Sequence, residues 1–65
     1  MTLRIHTNKD TIDITTKASL SVSEIVTQLE QGNLVLIETI YGSMFIVNAL
    51  NITAIEILDF ISQKT

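Results

Sequence analysis

The chain opens on TLRIHT, Thr2 to Thr7, where Leu3 and Ile5 alternate with Arg4 and His6, the period of two expected of a strand with one buried face. Asn8-Lys9-Asp10 supplies turn formers, and TIDITT, Thr11 to Thr16, alternates again with Ile12 and Ile14 on one side and Asp13 on the other. Together these segments predict a β-hairpin. The period then changes, because Val22, Ile25, Val26 and Leu29 recur at i, i+3, i+4 and i+7, the stripe of an amphipathic helix. Ser21 and Glu24 form an S-x-x-E capping box before that stripe, and Leu20 and Ile25 stand at the positions of a hydrophobic staple. Gly32 follows where a left-handed C-cap is expected. A helix over 22–31 results, with its stripe laid on one face of a sheet.

From Leu34 to Val47 the alternation fails. LVLIETIYGSMFIV reads as a second hairpin, Leu34 to Ile40 and Met44 to Asn48, turned through Tyr41-Gly42-Ser43. Leu34, Leu36 and Ile40 fall on one side and Val35 and Ile37 on the other, while Phe45 and Val47 oppose Met44 and Ile46, and all of these are apolar. A strand that is apolar on both faces has to be covered on both. One short helix covers one side only. Val35, Ile37, Met44, Phe45, Ile46 and Val47 are therefore expected to form a surface buried against a second copy or a partner protein, with a homodimer the first expectation.

The tail, Ile52 to Ile61, fits two patterns. As a strand, Ile55 and Ile57 share a face; as a helix, Leu50, Ala54, Ile57, Leu58 and Ile61 make a stripe, and Thr53 and Glu56 offer a second capping box. Shifting the chain by 32 residues aligns TLRIHT with LVLIET, TIDITT with SMFIVN, and LSVSEIVTQLEQ with ITAIEILDFISQ, with identity at six of the thirty aligned positions. A duplicated strand-strand-helix unit would make the tail a helix, and the β-branched content of the segment would make it a fifth strand. The fold class is α+β in either case: a small antiparallel sheet of two hairpins with the capped helix on one face. The phrase IVNALNITAIE resembles the strand-turn-strand ending of small phage and Gram-positive accessory proteins.

With 65 residues the chain is expected to form one domain, 1–65, at a size where a core barely stabilises itself. There is no cysteine, so no disulfide or thiolate metal site can staple it, which again directs attention to oligomerisation. A formal charge of −3 with four Lys and Arg in all argues against nucleic-acid binding. No N-terminal segment has the apolar core of a signal peptide, and the run from Leu34 to Leu50 is broken by Glu38, Gly42 and Asn48, so a cytoplasmic protein without a membrane span is expected.

Little chemistry is on offer. His6 has Asp10 and Asp13 nearby in sequence, but one imidazole and two carboxylates match no catalytic or metal spacing, and the polar side of an exposed strand explains them. No catalytic residue, metal ligand or cofactor is assigned, and an enzyme is not expected. Arg4, His6 and Tyr41 remain as a binding rim. Small, acidic, cysteine-free chains rich in Ile and Thr resemble the accessory proteins with which phages and mobile elements bind and inhibit or adapt a host protein. That resemblance implies a protein partner; the alternative expectation is a small ligand or nucleotide held between subunits.

Overall fold

The computed structural model describes residues 1–60. Two strands, β1 (Thr2–Thr7) and β2 (Thr11–Thr15), form the first hairpin; the helix α1 (Val22–Gln31) follows; β3 (Leu34–Glu38) and β4 (Met44–Asn48) form the second hairpin; and β5 (Ile52–Ile57) closes the order after a 3₁₀ turn over Ala49–Asn51. The class is α+β. The strands lie in two antiparallel sheets, β2-β1-β5 and β3-β4, in place of the single sheet expected from the sequence.

The two sheets meet where β2 and β3 end. Thr16 and Thr39 form an antiparallel bridge, Lys17 N–H donates to the Glu38 carbonyl at 2.9 Å, and Ile40 N–H donates to the Thr15 carbonyl at 3.0 Å. Both threonines are buried, and neither hydroxyl is orphaned: Thr16 Oγ1 donates to the Lys17 carbonyl, and Thr39 Oγ1 shares a 2.7 Å hydrogen bond with Ser43 Oγ. Small hydroxyl side chains let two backbones approach at the seam while satisfying their own polar atoms.

One core lies between the layers. Leu3, Ile5 and Ile14 come from the first sheet, Val35 and Ile37 from the second, and Ile25 from the helix. Period-two alternation in β1 and β2 accounts for the first three, since Leu3 faces Ile14 and Ile5 faces Ile12 across the hairpin, leaving Arg4 and Asp13 outside.

The helix occupies the predicted residues. Ser21 Oγ accepts from Glu24 N–H at 3.3 Å, the hydroxyl half of the capping box; Ser21 Oγ also lies 3.0 Å from Ser23 Oγ. Gly32 takes φ 71° and donates to the Leu29 carbonyl at 3.1 Å, a left-handed cap that a side chain would strain. Of the stripe, Ile25 is buried and Leu29 half-buried, while Val22 and Val26 remain exposed. Gln28 completes the docking of α1 on β3. Leu36 N–H donates to Gln28 Oε1 at 2.7 Å, and Gln28 Nε2 donates to the Leu36 carbonyl at 3.2 Å, so one side-chain amide occupies both main-chain groups that Leu36 turns away from β4.

The second hairpin turns one residue earlier than its sequence implies. Thr39 N–H donates to the Ser43 carbonyl and Gly42 N–H to the Thr39 carbonyl, which makes Ile40-Tyr41-Gly42 a three-residue loop with Gly42 at φ 79°. Ile40 thus belongs to the loop.

The tail is a strand. β5 pairs antiparallel with β1, Leu3 opposite Ile57 and Ile5 opposite Ile55, with a bulge between His6 and Thr7. The two residues that would have capped a second helix are both used by His6: Thr53 Oγ1 donates to the His6 carbonyl at 3.2 Å, and Glu56 meets its imidazole. The helix alternative and the strand-strand-helix duplication therefore fail at their third element, where an unpaired edge of β1 and a β-branched segment favour sheet. Residue 61, the last of the predicted tail, lies outside the described residues.

Candidate functional site

Each β3 residue shares a face with the β4 residue opposite it. Val35 stands against Val47 and Ile37 against Phe45 on the inner face; Leu34 against Asn48, Leu36 against Ile46, and Glu38 against Met44 on the outer one. Val35 and Ile37 are fully buried in the chain's own core, Val47 is half-buried, and Phe45 is at the margin of exposure. Two of the six residues expected at an intermolecular surface, Val35 and Ile37, are therefore core residues, because the first sheet and α1 already cover that side. Met44 and Ile46 are exposed, and Leu34 and Leu36, outside the expected set, share their face. Their alternation with Val35 and Ile37 was the available signal: once one row faces the core, the other must face out.

The outer face that results is apolar and open. Leu34 is 55% exposed, Leu36 44%, Met44 51% and Ile46 61%. Its only charge, Glu38, lies 3.2 Å from Lys17 Nζ, so the patch is electrically neutral at its rim. A cleft of about 320 Å³ opens beside it, lined by Leu20, Glu24 and Gln28 on the helix side and Leu36, Glu38 and Met44 on the hairpin side.

The predicted rim residues are not brought together. Arg4 and His6 lie on the outer face of the first sheet, and Tyr41, 88% exposed, is in the loop of the second hairpin. Arg4 makes a two-point contact with Asp13, Nε to Oδ1 at 2.9 Å and Nη2 to Oδ2 at 3.2 Å. That hydrogen-bonded pairing raises the guanidinium pKa and holds the Asp13 carboxyl below the usual carboxylate range. His6 Nε2 donates to Glu56 Oε1 at 2.5 Å. The partner of His6 is thus on β5; Asp13, considered for it in the sequence, is taken by Arg4. Among the described residues no group of three or more His, Cys, Asp or Glu is placed to hold a metal ion, and no helix is long and apolar enough to cross a membrane.

Asp59, just past β5, accepts a hydrogen bond from Thr2 N–H at 2.9 Å, which lowers its pKa. Asp13 and Asp59 both titrate lower in the folded chain than the ordinary 3.8 of a free aspartate. Their contribution to stability is present above that value and is lost as pH falls through it toward the folded-state pKa values. Urea unfolding midpoints are accordingly expected to drop between about pH 5 and about pH 3, and to drop less in the Asp13→Asn, Asp59→Asn double variant. An identical drop in the double variant would remove both carboxylates from the account.

Comparison of the chain with protein-family models, with curated proteins and with solved structures finds no match.

Proposed function

We propose that this chain is a small, non-enzymatic binding protein that self-associates, as a dimer, through the outer face of β3 and β4, and that acts in the cytoplasm as an accessory protein on a protein partner. The observation that carries the reading is the row Leu34, Leu36, Met44 and Ile46, four large apolar side chains exposed on one continuous face. A two-fold contact suits it: the face is apolar, and its one charged residue, Glu38, is already neutralised by Lys17 of the same chain, so two copies can meet there without opposing like charges. Arg4 and His6 are each partnered within the chain, which favours a protein partner over a small anionic ligand bound at those residues.

Light scattering coupled to gel filtration tests the assembly. The native chain is expected to run as a dimer, and Leu36→Asp or Ile46→Asp as a monomer with an unchanged far-ultraviolet dichroism spectrum, because both side chains lie outside the core. A monomeric native chain at tens of micromolar would end the reading, as would variants that remain dimeric.

A further inference from the structure

The two edges of the second hairpin differ. Leu36 turns both main-chain groups away from β4 to the Gln28 amide, and the bonds from Thr39 N–H to the Ser43 carbonyl and from Ala49 N–H to the Asn33 carbonyl fix the same alternation at the two ends of the hairpin. Ile46, opposite Leu36, therefore turns its main-chain groups outward from β4, and so do Met44 and Asn48. On the β3 side the chain fills its own edge: Gln28 takes both groups of Leu36, and Lys17 N–H takes the Glu38 carbonyl at 2.9 Å. On the β4 side no described residue pairs with the main-chain groups of Met44 and Ile46 or with the Asn48 N–H.

Charges and bulges guard sheet edges against further strands. β2 carries Asp13, and β5 carries Glu56 and a bulge in its pairing with β1. β4, MFIVN, has no charge, no proline and a regular register. Its sequence also suits itself. Centred on Ile46, an antiparallel copy sets Ile46 against Ile46 and Met44 against Asn48 on the outer face, and Phe45 against Val47 on the inner one, so every apolar residue meets its own kind except Met44, which meets the amide of Asn48.

We infer that β4 pairs antiparallel with β4 of a second copy, Ile46 opposite Ile46, giving a four-stranded sheet β3-β4-β4-β3. The pairing stops there, because the β3 edges that end this sheet are filled by Gln28 and Lys17. Its two-fold axis stands normal to the sheet, whereas the axis of a face-to-face contact lies between two sheets and parallel to them. Two-fold axes at right angles close at four copies, a dimer of dimers with the apolar outer faces inside. One strand of five residues is far below the roughly 20–30 residues a side of a stable interface, so the edge holds where two such contacts join the same pair of dimers. The four-copy assembly rests on the face contact proposed above; the edge pairing does not.

Sedimentation velocity from about 10 µM to about 1 mM tests it, since the larger assembly gains by mass action. The native chain is expected to pass from dimer to tetramer, with hydrogen exchange at the Ile46 amide slowed in the tetramer. Asn48 already has φ −71°, which proline accepts, so Asn48→Pro removes an outward N–H from the edge and is expected to stay a dimer. Asn48→Ala, which like proline loses the hydrogen bond from Leu50 N–H to Asn48 Oδ1 but keeps the main-chain N–H, is expected to form the tetramer. A synthetic chain with N-methyl Ile46 repeats the block without touching that cap. A native chain still dimeric at about 1 mM overturns the inference and leaves the face contact standing, while tetramers of the N-methyl chain, or an Ile46 amide that exchanges freely in the native tetramer, overturn it as well. If Leu36→Asp forms dimers with a protected Ile46 amide, the edge pairing is upheld and the face contact falls.

Discussion

Replacing Ile37 with Asp is expected to leave the chain without a cooperative unfolding transition, while the same replacement one residue earlier, at Leu36, leaves it folded. The two positions are neighbours in β3 and point to opposite faces, Ile37 fully buried and Leu36 exposed. At 65 residues, a stability of about 0.05–0.15 kcal/mol per residue amounts to roughly 3–10 kcal/mol. Truncating a buried isoleucine costs about 2–5 kcal/mol on its own, and an unpaired carboxylate in an apolar interior adds several kcal/mol more. The sum meets or exceeds the whole stability of the domain. At Leu36 an exposed carboxylate stays hydrated, and the main-chain pairing with the Gln28 amide does not involve the side chain that changes. Thermal melts followed by circular dichroism separate the cases. A cooperative melt for Ile37→Asp near that of the native chain would mean that β3 is turned over, with its other row in the core. Val35, buried to the same extent, is expected to behave as Ile37 does.

This contrast also marks where the sequence stops short. Two apolar rows in one strand say that both faces need cover, but not which cover is supplied from within the chain. That depends on the first sheet reaching Val35 and Ile37, a contact between residues more than twenty positions apart that no local pattern encodes. The helix was legible because its signals are local and agree: the cap at Ser21, the stop at Gly32 and the period between them. The first hairpin was legible for the same reason. The tail was not, since its six-residue strand carries both a strand's β-branched residues and a helix's capping box, and the choice is made by β1, whose His6 engages Thr53 and Glu56 from 47 and 50 positions away. Of the six hairpin residues expected at an intermolecular surface, Val35, Ile37, Phe45 and Val47 lie on the face turned to the core and Met44 and Ile46 on the outer one, a division that depends on the same long-range contact.

Shortening Ile25 to Ala is expected to lower stability by about 2–5 kcal/mol, whereas Val26→Ala, on the same stripe, is expected to stay within about 0.5 kcal/mol of the native chain. A helix of ten residues is shorter than the ~12–15 that an isolated helix needs to be even marginal in water, so α1 holds its shape through docking. Ile25 is its one buried residue, Leu29 lends partial cover, and the Gln28 amide fixes the helix to β3. Removing Ile25 takes away the anchor and leaves a void shared with Leu3, Ile5 and Val35, which the sheets cannot close without moving. Val26 borders the open groove between α1 and β5 and has few neighbours to lose. Urea midpoints of the two variants decide the matter, with Ile25→Val expected in between at about 0.5–1.5 kcal/mol. Equal losses at Ile25 and Val26 would mean that the helix closes onto β5 in solution. The groove between α1 and β5 would then be absent, while the outer face of the second hairpin would be untouched by the result.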